Sequence, residues 1–169
     1  MSAKQDIVVT GLEDWARSDE YHNSFLLEKD SGLDAALANS DSNGLPEIAV
    51  SAAQGKLLML LAASIEAKRI LEVGTLGGAL PEDGKLITLE IDENHARVAR
   101  ENLANAGLSS KVDIVLGKGI DSMAKLTPEP PFDLVFIDAD KPSNAQYFTE
   151  AKRLVRKGGV IVHHYLAFS

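Results

Sequence analysis

At 169 residues the chain has the length of one domain with a single buried core, and its 45% apolar and 25% charged residues are those of a globular protein. The formal charge of −8, with no basic block anywhere, argues against nucleic acid and anionic membrane as partners; without cysteine there are no disulfides or thiolate metal sites. No apolar run approaches a membrane span, and the acidic first twenty residues lack the apolar core of a secretory signal, so a cytoplasmic protein is expected.

Residues 1–10 read as a loose terminus. Leu12, Trp15, Phe25 and Leu26 then fit a short helix or helix pair, with Glu13 and Asp14 near its start where the helix dipole favours acids. Trp15 and Tyr21 are expected as core or dimer contacts. Residues 28–46, rich in Asp, Ser, Asn and Gly, read as a hinge with at most one short helix at 33–38. This divides the chain into an N-terminal helical segment and hinge, 1–44, and a main domain, 45–169. Ser51 to Ala67 is apolar almost all round (Leu57, Leu58, Met59, Leu60, Leu61, Ile65), which predicts a helix buried against a sheet.

Ile70 to Val73 is a first strand and Leu86 to Ile91 a second. Asp92 fits an N-cap for a helix ending near Gly107, with Val98, Ala99, Leu103 and Ala106 on one face. Val112 to Leu116 is a third strand, followed by Gly117-Lys118-Gly119 and a short helix from Asp121. Thr127 to Pro131, with three prolines, is a loop. Leu134 to Ile137 is a fourth strand, ending in Asp138-Ala139-Asp140-Lys141. Ser143 and Gln146 have capping-box spacing for a helix carrying Phe148, Ala151, Leu154 and Val155. Gly158-Gly159 is expected to stop that helix, and Val160 to Val162 is a fifth strand. Strands alternating with helices predict an α/β fold with a mostly parallel, doubly wound sheet.

The strand ends carry the chemistry. Arg69 to Val73 breaks into Gly74-Thr75-Leu76-Gly77-Gly78, a turn in which glycine lets the backbone approach a ligand closely. Strand two ends in Glu90 and Asp92, strand three in Gly117-Lys118-Gly119, strand four in two acids and a lysine. In an open parallel sheet all of these meet at the carboxyl edge, where ligands bind. Glu72 lies inside an apolar strand, a costly place for an acid without a partner, which favours a functional use. The glycine spacing is not Gly-x-Gly-x-x-Gly, so the dinucleotide fingerprint fails.

In these motifs the chain resembles the cation-dependent, S-adenosylmethionine-dependent O-methyltransferases of the catechol and caffeoyl-CoA type. The residues that carry the likeness are Leu45 to Ser51, Ala53-Gln54-Gly55-Lys56, Leu71 to Gly78, Leu89-Glu90-Ile91-Asp92 and Phe136 to Lys141. It runs from about Leu45 to Val162. The resemblance implies a Rossmann-like class I methyltransferase fold and methyl transfer to a hydroxyl of a vicinal diphenol. It further implies that Val50, Glu72, Gly74 and Thr75 line the methionine and sulfonium end of S-adenosylmethionine. Glu90 would bind the ribose, and Gly119 and Ile120 would flank adenine. Asp138 would face the cofactor and ligate a divalent cation, with Mg²⁺ the first expectation; Asp140 would stand beside it, and Lys141 would be the general base. A homodimer acting on a small phenolic substrate is the implied assembly.

Two departures from the family pattern stand out. The eleven residues 74–84 leave no room for the helix of a parallel crossover, and they lack a serine that the family offers to the cofactor. After strand five the family has an Asp-Asn pair that completes the metal site; this chain has His164-Tyr165, preceded by His163. Adjacent strand residues point to opposite faces, so His163 and His164 are not expected to share a metal. The fold is therefore expected to be incomplete, a longer methyltransferase with pieces missing, and a real deletion would leave cofactor affinity and activity weak or absent. Two other readings are a non-catalytic remnant that binds cofactor or pairs with an intact subunit, and a nucleotide-dependent oxidoreductase, which the absent dinucleotide spacing disfavours.

Overall fold

The computed structural model describes residues 11–46, 50–75, 80 and 83–164. The chain divides into two compact units, residues 1–30 and residues 31–169.

The first unit is built on α1 (Leu12–Leu26). The Asp14 carboxylate accepts the Gly11 N–H at 3.0 Å and pairs with Arg17 at 2.7 Å, which ties down the first turn. No residue of this helix is buried, and Trp15 is 56% exposed, so neither Trp15 nor Tyr21 is core within this chain. The Tyr21 ring instead meets Phe25 edge-on at 5.1 Å.

The second unit is a five-stranded, all-parallel sheet in the order β3-β2-β1-β4-β5. Its strands are β1 (Arg69–Val73), β2 (Lys85–Glu90), β3 (Val112–Leu116), β4 (Phe132–Ile137) and β5 (Val155–His163). Its helices are α2 (Ser31–Ser42), α3 (Ala52–Ser64), α4 (Glu93–Asn105), α5 (Gly119–Lys125) and α6 (Asn144–Leu154). Side chains alternate between the two faces of the sheet. Leu71, Val73, Leu89, Val135 and Ile137 pack with Met123 of α5 and Tyr147, Ala151 and Leu154 of α6. Ile70, Leu86, Leu134 and Phe136 pack with Leu58 and Ala62 of α3 and Leu103 of α4. Helices on both faces explain why the central strands are apolar on both sides.

Several expectations are corrected. The hinge holds a full helix, α2, because its side chains find partners on α4: Asn39 Nδ2 donates to Asn102 Oδ1 at 2.7 Å, and Arg97 donates to Asn43 at 2.7 Å just past the helix end. The α3 helix is buried along one stripe only, with Leu57 57% and Leu60 53% exposed. Asp92 caps α4 as expected, accepting from His95 N at 2.9 Å. The Ser143–Gln146 box does not form. Asp140 caps a 3₁₀ turn (Lys141–Ser143) ahead of α6, and the buried face of α6 carries Tyr147 in place of Phe148. The α5 helix begins at Gly119, two residues before Asp121.

The largest difference lies at Gly158-Gly159. These glycines do not end a helix; α6 stops at Leu154 and β5 runs through them. The pairing with β4 shifts from Phe132↔Val155 to Leu134↔Val160, which is a bulge in β5. Gly158 takes φ +79°, and a Cβ at Gly159 would stand 2.6 Å from the Asp133 carbonyl oxygen. The conformation needs glycine at both positions. The crossover between β1 and β2, expected to lack a helix, falls largely on residues 76–79, 81 and 82, outside the described residues.

Asp133 ties the amino end of the sheet together. Oδ2 accepts Lys68 N at 2.8 Å and Arg69 N at 2.9 Å, while Oδ1 accepts Arg156 Nε at 2.5 Å. Burial pushes this carboxyl's pKa up, but donation from Arg156 and the two amides outweighs burial and holds it below the ordinary value. A depressed folded pKa gives stability that is present above the unfolded value, about 4, and lost as pH falls through the folded one. Asp133→Asn is therefore expected to cost about 2 kcal/mol at neutral pH. Its stability should also fall less steeply than wild type as pH drops below about 4. Urea denaturation across a pH series checks both.

Candidate active site

The carboxyl edge of the sheet is one continuous row. Gly117 N donates to Glu90 O at 2.8 Å, Gly74 N to Leu89 O at 2.9 Å, Asp138 N to Val73 O at 2.9 Å, and His164 N to Ile137 O at 2.9 Å. These bonds carry the ladder one step past the ends of β1, β3, β4 and β5, so the residues following those four strands stand in a row with the end of β2. Alternation then sorts their side chains. Ile70, Leu86 and Phe136 point to the α3–α4 face. Glu72, Thr88, Glu90 and Asp138 are spaced from them by two or four residues and share that face. The face is apolar at its amino half and acidic at the rim.

Glu72 is 5% exposed, opposite Thr88 on one side and Phe136 on the other. Glu90, also buried, is fixed by backbone donors: Oε1 accepts Ile91 N at 2.8 Å and Asp92 N at 2.9 Å, and Oε2 accepts Thr75 N at 3.3 Å. Thr75 Oγ1 accepts from Thr88 Oγ1 at 3.2 Å. The turn after β1 is thus stapled to the end of β2 by a carboxylate and a hydroxyl. Gly74 lies between them and Asp138, at φ +91°, with its Cα so close to β4 that a Cβ would stand 2.1 Å from the Asp138 carbonyl oxygen.

The other expected residues fall around this row. Val50 packs on the α3–α4 side of the core, just before the Ser51 N-cap. Gly119 starts α5, where a Cβ would meet Val73 Cγ1 at 2.8 Å and the Tyr147 ring at 3.2 Å; Ile120 packs beside it. Asp140 Oδ2 accepts Ser143 N at 3.1 Å and Oδ1 accepts Tyr147 Oη at 2.8 Å. Donation from Ser143 and Tyr147 holds the Asp140 carboxyl below its ordinary pKa, while burial and that same bond push the Tyr147 phenol up to about 12. Tyr147 therefore stays a donor at physiological pH and locks the turn that carries Asp138 and Lys141. Lys141 opens the 3₁₀ turn at the exposed side of the rim.

Sequence reading missed Tyr147 and Thr88. Tyr147 stands seven residues after Asp140, two helical turns, and that spacing was an available signal. His164, taken for part of an altered terminus, lies 3.1 Å from Asp138 through Nδ1. Among the described residues no group of three or more His, Asp and Glu side chains is placed to hold a metal ion.

This sheet order, with acids gathered at the rim and a glycine turn after β1, defines a Rossmann-like class I methyltransferase fold. The chain belongs to the O-methyltransferase family, whose profile matches residues 27–167. It is 50% identical over 153 residues to a catechol O-methyltransferase of Mycobacterium tuberculosis, covering 85% of this chain and 69% of that one. It is 48% identical over 154 residues to a catechol O-methyltransferase of Niastella koreensis, covering 85% and 70%. Its structure is similar to that of the O-methyltransferase TomG from Streptomyces achromogenes in complex with SAM, with TM-score 0.83, 41% identity and coverage of 92% and 74%.

Proposed function

We propose that this chain transfers the methyl group of S-adenosylmethionine to one hydroxyl of a catechol-like vicinal diphenol. The observation that carries this reading is the shared rim, where Glu72, Glu90 and Asp138 stand on one face around the open backbone at Gly74. When bound, S-adenosylmethionine supplies a sulfonium methyl that is already activated for attack by oxygen. In this proposal Glu90 accepts hydrogen bonds from the ribose hydroxyls. Val50, Glu72, Gly74 and Thr75 border the methionine end, Gly119 and Ile120 border adenine, and Asp138 and Asp140 frame the turn between cofactor and acceptor. A phenol is mostly protonated at neutral pH, its unperturbed pKa being about 10. Lys141 accepts that proton as the general base. Holding the oxygen in line with the methyl group supplies much of the remaining rate.

The resemblance adds a divalent cation at Asp138. The described donor set does not fit Mg²⁺, which takes oxygen ligands: Asp138 Oδ1 faces the His164 imidazole. A homodimer and a cytoplasmic location complete the proposal; the exposed Leu12, Trp15, Phe25 and Leu26 of α1 support the first.

Calorimetric titration with S-adenosylhomocysteine, combined with a methyl-transfer assay on catechol, tests the reading. Binding with turnover is the expected result. Binding without turnover would replace it with a cofactor-binding protein that lacks catalysis, and NADH binding in place of the sulfonium nucleoside would indicate an oxidoreductase.

A further inference from the structure

His164 joins three elements that are far apart in the chain. Its backbone N–H extends the β4–β5 ladder to Ile137 O. In that register Val162 lies opposite Phe136 and His163 opposite Ile137, so His164 takes the place beside Asp138 and His163 points to the other face. Nδ1 of His164 is 3.1 Å from Asp138 Oδ1, and Nε2 is 3.4 Å from Gln54 Nε2.

The third member fixes the tautomer. Gln54 Oε1 accepts Ser51 N at 2.8 Å, and Gln54 N donates to Ser51 Oγ at 3.2 Å, which together make the capping box that starts α3. With its oxygen committed to Ser51, the amide presents its NH₂ group to the imidazole. A nitrogen that faces an NH₂ group must be an acceptor. Nε2 is then unprotonated, and Nδ1 carries the proton and donates it to Asp138. The lone pair that Nδ1 would need to ligate a metal is used, and one acceptor site of the Asp138 carboxylate is taken by its proton.

We infer that the Gln54–His164–Asp138 chain stands where a divalent cation would otherwise sit, so that this protein orients the Asp138 carboxylate with the Nδ1–H of His164 and has no Mg²⁺ site there. Insofar as the rim is a nucleoside site, which rests on the proposed function, the nucleoside binds without Mg²⁺. The pairing also gives α3 a contact with the end of β5: the capping box orients Gln54, Gln54 orients His164, and His164 holds the rim of β4. His164 is in this respect a positioning residue.

Long-range ¹H–¹⁵N correlation spectra of the full chain test this directly, with His164 assigned through His164→Asn. The expected result is an Nδ1–H tautomer whose resonances do not move on addition of millimolar Mg²⁺. A titration with Mn²⁺ followed by electron paramagnetic resonance is expected to show no one-to-one site. An Nε2–H tautomer, or retention of one Mn²⁺ that is lost in Asp138→Asn, overturns the inference. S-adenosylhomocysteine affinity is expected to be the same with and without EDTA, and a loss of about tenfold or more with EDTA also overturns it. Failure of S-adenosylhomocysteine to bind under any condition would instead sink the methyl-transfer reading, while the tautomer and the Mn²⁺ titration would still decide the cation question.

Discussion

Glu90→Ala is expected to weaken S-adenosylhomocysteine binding on the order of 10²-fold, from the loss of two hydrogen bonds to a charged acceptor worth together about 3 kcal/mol or more. The substitution also removes the acceptor for Ile91 N, Asp92 N and Thr75 N, so part of the loss would come from a loosened turn after β1. Glu90→Gln separates the two effects. Its amide oxygen can keep the bonds to Ile91 and Asp92, while its NH₂ replaces the oxygen that faces Thr75 N–H and, in the proposed site, the ribose. The Gln variant keeps two of the three backbone bonds, so it should lose less stability in urea than Glu90→Ala and still bind about tenfold or more weaker. Calorimetry that finds wild-type affinity in the Gln variant would remove Glu90 from the ribose site.

Gly74→Ala is expected to be the most destabilising small substitution in the sheet. Two costs add. The backbone at φ +91° is one that L side chains rarely adopt, and the new Cβ would lie 2.1 Å from the Asp138 carbonyl oxygen. That oxygen belongs to main chain in a ladder, so no rotamer change relieves the clash. Either β1 and β4 part at the rim or the turn is rebuilt, and a loss of about 3 kcal/mol or more is expected, which for a domain of this size lowers Tm by roughly 6–12 °C. Differential scanning calorimetry checks the magnitude. Because the displaced strand end carries Asp138, nucleoside affinity should fall with it. A variant as stable as wild type would mean that the two strands do not approach as closely as described.

How much of this was legible in the sequence depends on what each residue had to answer to. The strand cores at Ile70–Val73, Leu86–Leu89 and Leu134–Ile137 declared themselves because a parallel sheet covered on both faces demands continuous apolar runs. Asp92 was legible as a cap because the acid, the register and the following helix agree locally. The α2 helix was not, since its Ser-, Asp- and Asn-rich composition reads as loop; its stability comes from Asn39 and Asn102 meeting across 63 positions. Gly158-Gly159 marks a break in either a helix or a strand, and only the pairing with β4 decides which. In the site, the placement of Glu72, Glu90 and Asp138 at the carboxyl rim was readable from the strand pattern, while their roles toward a cofactor were implied by the resemblance. The Gln54–His164–Asp138 chain was not, because it depends on side chains arriving from separate elements; for the Tyr147–Asp140 bond the seven-residue spacing was the one signal, and alternation along β5 separated His164 from His163 without saying which of them faces Asp138.

The bulge in β5 has a consequence for solubility. Among the described residues β3 and β5 are the outer strands of a sheet whose centre is almost wholly apolar. A flat outer strand of that kind is a template for another chain to pair with, and natural sheets guard against it with charge, shortness or a kink. At β5 the kink at Gly158-Gly159 follows directly on Arg156 and Lys157, and at β3 the strand is five residues long with Asp113 in it. Straightening β5 by filling the two glycines would therefore do more than strain one strand: wherever that strand is an open margin, it would favour fibrous self-association over the native fold.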